Sequence, residues 1–441
     1  MQIIADLHLH SKYSRAVSQE MNLENMAMWA KKKGIDLIAT ADWTHPLWFH
    51  EIKNSLQESS PGIFSLKSQS SPNFLLSTEV ASIYQQGGKL HRIHNLIFSP
   101  SFAVCEKIIA ELRKRGANLN SDGRPMLGIS AQEIVKIVLG VEEKCLVIPA
   151  HVWTPWFSLY GSMSGFDSVA ECFGDQEKYI YAIETGLSSN PEMNWRIKDL
   201  DNRQILSFSD AHSGPKLGRE ATVFELPELS YENIRAAIMN SPNSPNTHSI
   251  SHTLEFYPEE GKYHYTGHRS CGVIQSPEET RARGTTCHVC GKPLTVGVMH
   301  RVEQLTTNNI QQTTIFDEYG TKWIKHPLEK RPPYAMLVPL QEIIAEAVGT
   351  APISQKVQVI YEQLVALLNG EFNVLLKAKL TDIAKISNEK IAEGIKKVRC
   401  GNIFIRPGFD GEFGIVKIWS GPSSIFSTSS TPPEPQQMTL F

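Results

Sequence analysis

Apolar, strand-like runs recur through the first half of this chain, and one after another ends on a metal-binding residue type; no other feature constrains the fold as much. IIADLHLH closes on His8 and His10, and IDLIATADWTH on Asp42 and His45. FLLSTEVAS carries Glu79, RIHNLIF carries His94, CLVIPAHVW carries His151, and QILSFSDAH closes on Asp210 and His212. In DLHLH the leucines alternate with the histidines, so an extended backbone puts both imidazoles on one face. The spacing places each of these ligand types at the C-terminal end of a strand. Strand ends that converge on one face are where barrel enzymes assemble their chemistry. Imidazoles mixed with carboxylates suit zinc, manganese or iron, and this many can hold two or three divalent ions. Ions so clustered can grip a phosphate oxygen, acidify a water and stabilise a leaving oxygen.

Helix-like stretches such as NLENMAMWAKKKG and SFAVCEKIIAELRKRG separate the runs. Alternating strands and helices predict an α/β fold with a parallel sheet closing into a barrel over residues 1–245. The polar stretch MNSPNSPNTHS reads as a linker. Residues 250–305 have few apolar runs and form a second unit. Residues 306–420 read as mainly helical, with LQEIIAEAV, SQKVQVIYEQLVALLNG and LLKAKLTDIAKISNEKIAEGIKKV. Residues 421–441, rich in Ser and Pro, are expected to be a disordered tail.

The second unit carries HRSC at 268–271 and CHVC at 287–290. Two such knuckles can each give two ligands to a tetrahedral zinc, so His268, Cys271, Cys287 and Cys290 are expected to hold one structural Zn, with His264 as the substitute for His268. The cysteine count of seven, odd and scattered, fits a reducing cytoplasm better than a disulfide framework. Between Lys262 and Arg301 six basic residues face Glu278 and Glu279, and between Lys377 and Arg399 seven basic residues face three acidic ones. Such stretches suit a nucleic-acid backbone, whereas the overall net charge of −3 argues against a uniformly basic coat. No apolar run approaches the roughly 18 residues of a membrane span, and the start MQIIADLHLH does not read as a signal peptide. A cytoplasmic, nucleoid-associated monomer is expected.

The HxH opening, Asp42 and His45, Glu79, the two later histidines and the closing DxH together resemble the PHP (polymerase and histidinol phosphatase) superfamily. The resemblance covers residues 1 to about 240 and implies a distorted (β/α)7 barrel with a trinuclear metal site acting on phosphate esters. Two departures stand out. Many PHP proteins carry Asp or His five residues after the second histidine, where this chain has Arg15; a third ion is then weak or missing, with Arg15 holding a phosphate. Trp43 and Thr44 also separate Asp42 from His45, which leaves Asp42 either a ligand or a partner that orients one.

The last five residues, Gln437, Met438, Thr439, Leu440 and Phe441, resemble the bacterial sliding-clamp pentapeptide, with Gln437, Met438, Leu440 and Phe441 as the contacts. With HVWTPWFSLYGSMSGFDSVAECFGD, AIETGLSSNP and CHVCGKPLTVGVMHRVEQL, the chain resembles the endonuclease Q family, bacterial type, from residue 1 to about 400. That implies a metal-dependent repair endonuclease that nicks 5′ of a deaminated base (uracil, hypoxanthine or xanthine) or an abasic site, by metal-activated water attack, on double- and single-stranded DNA. Lys216 and Arg219 are further candidate phosphate contacts. Reading a damaged base requires flipping it from the duplex, and Trp43, Trp48, Trp153, Trp156, Phe157 and Tyr160 are candidates for the pocket wall or for rim packing. A PHP-type 3′–5′ exonuclease, a small-molecule phosphatase and a non-catalytic DNA-binding scaffold are the alternatives.

Overall fold

The computed structural model describes residues 1–240, 248–308 and 310–419. A mixed sheet of thirteen strands runs through it. The first strand, Gln2–Asp6, pairs in parallel with Leu37–Ala39, which pairs in parallel with the long strand Gln69–Gln86. The direction then reverses. Lys89–Ser99 runs antiparallel to Gln69–Gln86, and Leu146–Pro149 antiparallel to Lys89–Ser99. The all-parallel expectation therefore fails here. The cause is local: Gly87 and Gly88 both adopt positive φ (59° and 78°) between the paired Gln86 and Lys89. A two-residue turn of this kind joins antiparallel neighbours and leaves no room for a crossover helix.

Ala182–Glu184 and Gln204–Leu206 form a separate parallel pair. Val152 N donating to Glu184 O (3.1 Å) links this pair to the Leu146–Pro149 strand on one side. His10 N donating to Ala211 O (3.2 Å) links it to the first strand on the other. Those contacts bring seven strands into a ring. Alternate residues from them, including Leu7, Leu37, Leu75, Leu96, Ile148, Ala182 and Leu206, pack into one apolar cluster inside it. Helix Tyr231–Met239 adds Tyr231, Ile234 and Ile238 to the same cluster and seals that end. The polar residue types are left for the opposite end.

Outside the ring, helices cover the sheet with one apolar face each. Leu23–Lys33 is typical: Asn22 caps its start, Lys31–Lys33 sit at its negative C-terminal end, and Gly34 leaves it at φ 80°. After Ser249–Glu255, Thr266–His268 and Val273–Gln275 form a small hairpin, followed by helices Pro277–Arg283 and Val298–Leu305.

Residues 306–340, expected from the sequence to belong to a mainly helical region, instead contribute Thr313–Phe316, Lys322–Lys325 and Tyr334–Met336 to the main sheet, the last pairing with Ser249–Glu255. Helices Leu340–Val348, Gln355–Leu367, Glu371–Leu376, Leu380–Ile386 and Glu389–Cys400 follow. The stretch 375–398 is thus broken, not one helix, and Asn388 caps the last segment through Ile391 N. A buried ion pair, Lys33 Nζ–Glu371 Oε2 at 2.7 Å, docks this helical unit on the first helix of the ring. No helix among the described residues is long and apolar enough to cross a membrane. Residues 420–441, which include the expected disordered tail and the clamp-type pentapeptide, lie outside the described residues.

Candidate metal centre

Glu79 is the hub of the polar end of the ring. It sits in the middle of the Gln69–Gln86 strand rather than at its C-terminal end, as His94 sits in the middle of Lys89–Ser99. The register between the two strands is long, and it carries both side chains to the same end of the ring. Glu79 Oε1 lies 2.7 Å from His94 Nδ1 and 3.1 Å from His151 Nε2. Its Oε2 lies 3.4 Å from His10 Nε2, and His8 Nε2 stands 3.7 Å from Oε1. Asp210 Oδ1 is 3.0 Å from His10 Nε2 and 3.5 Å from His8 Nε2. Two donor groups result, His8–His10–Asp210 and Glu79–His94–His151.

Do these residues fit divalent ions? His8 Nε2, His10 Nε2 and Asp210 Oδ1 are buried and make no hydrogen bond, although they approach one another closely. Buried polar atoms left without partners are costly, so three aimed at a common point call for a cation. The donor set fits.

The partners behind the histidines fix which nitrogen is free to face an ion. Glu184 Oε1 accepts from His8 Nδ1 at 2.8 Å, and Glu184 Oε2 accepts from His151 N at 2.8 Å. Asp42 Oδ1 lies 3.2 Å from His10 Nδ1, and its Oδ2 accepts from Ser11 N, Ser11 Oγ and Ser14 Oγ. Both Asp42 oxygens are engaged, so the structure places Asp42 behind His10 rather than against an ion. Carboxylates in this position hold the ring and raise its basicity. Burial alone would lower the pKa of His8, but Glu184 and Asp210 hold it well above the usual range. Burial pushes His94 down to about 4 despite Glu79. Against the push of burial, His94 and Arg124 hold Glu79 well below the carboxylate range. Ala41, Asp42, His151 and Asp210 adopt positive φ, the strained backbone that turns these loops toward the site.

His45 and His212, both expected among the ligands, stand outside the two groups. His45 stacks on Tyr13 (4.5 Å between ring centres) at the start of helix Pro46–Ser55, which its backbone caps. His212 lies beside His10 (4.8 Å) but turns Nδ1 to Asp210 O. Arg15 pairs with Asp122 and is more than half exposed. Lys216 and Arg219 point away: Lys216 Nζ reaches Glu342 Oε1 (3.3 Å) in the helical unit, and Arg219, half-buried, lies over the Phe256 ring. The sequence does not single out Glu184 or Arg124. Glu184, in AIETG, is the last residue of its strand. Arg124 has no such signal.

A cleft of about 1070 Å³ opens beside the centre, with His151 and Asp210 in its wall. Trp156, Phe157, Tyr263 and Lys262 line it, the last two from the small cysteine-bearing unit. Trp43, Trp48, Trp153 and Tyr160 are fully buried in the core and do not line the cleft.

In the small unit His268, Cys271, Cys287 and Cys290 converge, with Cys290 Sγ 3.4 Å from His268 Nδ1. His264 is buried elsewhere and takes no part in this group. Against the upward push of burial, the amides of Cys290 and Val289 bring the Cys287 thiol down to about 6. The apolar cluster here consists of only Val273, Cys287 and Leu294, with Cys271 against it. A unit with so little core needs a cross-link, and Cys3His fits one zinc.

The frame and centre define a mixed α/β protein built around a divalent-metal site at one end of a strand ring. Residues 339–402 match the MJ0043 C-terminal domain family. The MJ0043 protein of Methanocaldococcus jannaschii is 33% identical over 271 residues, 60% of this chain; the chain spans 31% of the length of that relative. PfuEndoQ, a lesion-specific endonuclease from Pyrococcus furiosus, superposes with a TM-score of 0.80 at 30% identity over 95% of each chain. Endonuclease Q bound to a 27-mer duplex with an abasic lesion at its active site matches equally (TM-score 0.80, 30% identity, 95% of this chain and 96% of that one). The chain belongs to the endonuclease Q family.

Proposed function

We propose that the protein is a metal-dependent DNA repair endonuclease. It nicks the phosphodiester 5′ of a deaminated base (uracil, hypoxanthine or xanthine) or of an abasic site. The observation that carries this reading is the shared Glu79 between two ligand groups, open beside His151 and Asp210 to a cleft large enough for a flipped nucleotide. The two endonuclease Q structures support DNA with a lesion as the substrate.

His8, His10 and Asp210 would hold one ion and Glu79, His94 and His151 the other, with Zn, Mn or Mg as the candidates. Divalent ions bound there would polarise the phosphate and lower the pKa of an attacking water. Glu79 spans both groups and keeps them in register. Glu184 and Asp42 hold the His8 and His10 rings. Water attacks phosphorus in line and the P–O3′ bond breaks, leaving a 3′-hydroxyl and a 5′-phosphate. Trp156, Phe157 and Tyr263 offer stacking faces to the extruded base, and Lys262 and Arg92 offer charge to the backbone. His268, Cys271, Cys287 and Cys290 would hold one structural zinc, which would fix the Tyr263 wall. Docking of Gln437, Met438, Leu440 and Phe441 on a sliding clamp is a further proposal, carried by the sequence.

The test is Asp210→Ala with His8→Ala. Both variants should lose nicking of a uracil-containing duplex while binding it as the unsubstituted protein does. Nicking retained by either would place the chemistry elsewhere.

A further inference from the structure

Arg399, Arg203 and Arg331 show how this chain treats an arginine with a purely structural role. Their guanidinium groups donate to backbone carbonyls, four of them in the case of Arg399. Arg124 is different. Its Nη1 lies 3.1 Å from Glu79 Oε2, and its guanidinium makes no other hydrogen bond to the described residues. The side chain is 25% exposed. Three-quarters of it is thus buried beside the ligand groups, with most of its donors open.

The loop that carries Arg124 is fixed from both sides. Gly123 N donates to Tyr13 O at 3.0 Å, and Ala81 N donates to Pro125 O at 3.0 Å, two residues beyond Glu79. A Cβ on Gly123 would stand 2.3 Å from Asp42 Oδ2 and 2.4 Å from Ser14 Oγ, so this backbone lies directly against the support of His10. Met126 and Leu127 then pair with Ala81 and Ser82. Asp122 Oδ1 accepts from Arg124 N at 3.1 Å. Placement this tight is what a group aimed at a reacting phosphate requires.

Glu79 divides its two oxygens. Oε1 serves His94 and His151, while Oε2 serves His10 and Arg124. The guanidinium therefore stands beside the carboxylate that contacts both ligand groups. We propose that Arg124 is a catalytic residue, the third positive charge of a site with two ions, and that its open donors take a non-bridging oxygen of the scissile phosphate. This rests on the phosphodiesterase reading given above. Attack on phosphorus builds negative charge on the non-bridging oxygens, and a fixed planar fork of donors meets that charge better than a single ammonium does. Of the two arginines expected from the sequence to contact phosphate, Arg15 is paired with Asp122 at the rim and Arg219 lies over Phe256.

The experiment uses the full chain, reconstituted with manganese and zinc. Metal content is read by mass spectrometry, and single-turnover nicking of a uracil duplex is followed in parallel, for the unsubstituted protein, Arg124→Ala and Arg124→Lys. The expected metal content is three ions per chain in all three, two in the ring and one in the cysteine unit. Loss of one such donor group typically costs about 10²- to 10³-fold in rate, and that loss is expected for Arg124→Ala, with Arg124→Lys recovering part of it. A rate for Arg124→Ala within twofold of the unsubstituted protein overturns the proposal. So does a loss of ring ions in that variant, which would make Arg124 a support for the ligands, or four ions in the unsubstituted protein. If the unsubstituted protein nicks no lesion, the functional reading fails by itself, and ion counts other than three still overturn the charge assignment of Arg124 separately.

Discussion

Glu184→Gln isolates the part of the centre that lies behind the ligands. The carboxylate accepts from two donors at once, His8 Nδ1 through Oε1 (2.8 Å) and His151 N through Oε2 (2.8 Å). Glutamine keeps the shape but has one acceptor oxygen and one NH2, so one of the two donors faces another donor. Both sites are buried, and water cannot fill the gap. A hydrogen bond to a charged group contributes about 1.5–3 kcal/mol, which is about 10- to 150-fold in an equilibrium constant at about 1.4 kcal/mol per decade. Losses from partners behind metal ligands typically run to about 10–100-fold, so the two routes agree. The expected result is a ring-site manganese affinity weaker by about that factor, measured by competition with a fluorescent chelator after the cysteine unit has been loaded with zinc. Folding is checked by circular dichroism. A folded variant whose affinity stays within twofold of the unsubstituted protein would refute the assignment of Glu184 as the support of His8.

Four further outcomes are expected. Cys290→Ser should lower the zinc content by one ion per chain and expose residues 264–305 to limited proteolysis, because three apolar residues and Cys271 are the whole cluster there; unchanged proteolysis would contradict a structural zinc. Lys33→Met strands Glu371, which also accepts from Tyr361 Oη and Leu340 N, and should cost about 3–5 kcal/mol in urea unfolding. Burial raises Glu255 to about 7. Its folded form keeps a proton that the unfolded chain gives up near the usual glutamate value, so its contribution is complete below about pH 4.5 and is lost as pH rises through about 7. Glu255→Gln should therefore gain stability relative to the unsubstituted protein between about pH 5 and 8, and a flat difference across that window would show that Glu255 does not titrate there. Trp156→Ala should weaken discrimination between uracil and undamaged duplexes, checked by the ratio of their nicking rates, while leaving the ring ions in place.

Much of the centre is legible in the sequence because strand ends are readable locally. His8, His10, Glu79, His94, His151 and Asp210 each follow or interrupt an apolar run, and the structure gathers all six. The four zinc-type ligands are legible for the same reason, as their spacing within each knuckle is short. What the sequence hides depends on distant partners. Lys216 reads as a phosphate contact until Glu342 is seen beside it, 126 residues later. Asp42 reads as a possible ligand until Ser11 and Ser14 are found on its second oxygen. Arg124 lies in a polar loop with no periodicity, and only the pairing of Met126 with Ala81 brings it to Glu79. The reversal at Gly87–Gly88 is available as a turn signal, but the long apolar runs on either side read equally well as parallel strands. Trp43, Trp48 and Trp153 follow ligand positions closely, yet local spacing does not tell which side of a ring wall a side chain takes.

The central claim is tested most directly by end-labelled duplexes carrying a single uracil, hypoxanthine or abasic site, incubated with the full chain and Mn²⁺ or Mg²⁺ beside an undamaged control. A single nick 5′ of the lesion, absent from the control and abolished by chelator, is the predicted result. Progressive shortening of every duplex, or turnover of a phosphomonoester with all duplexes intact, would contradict it.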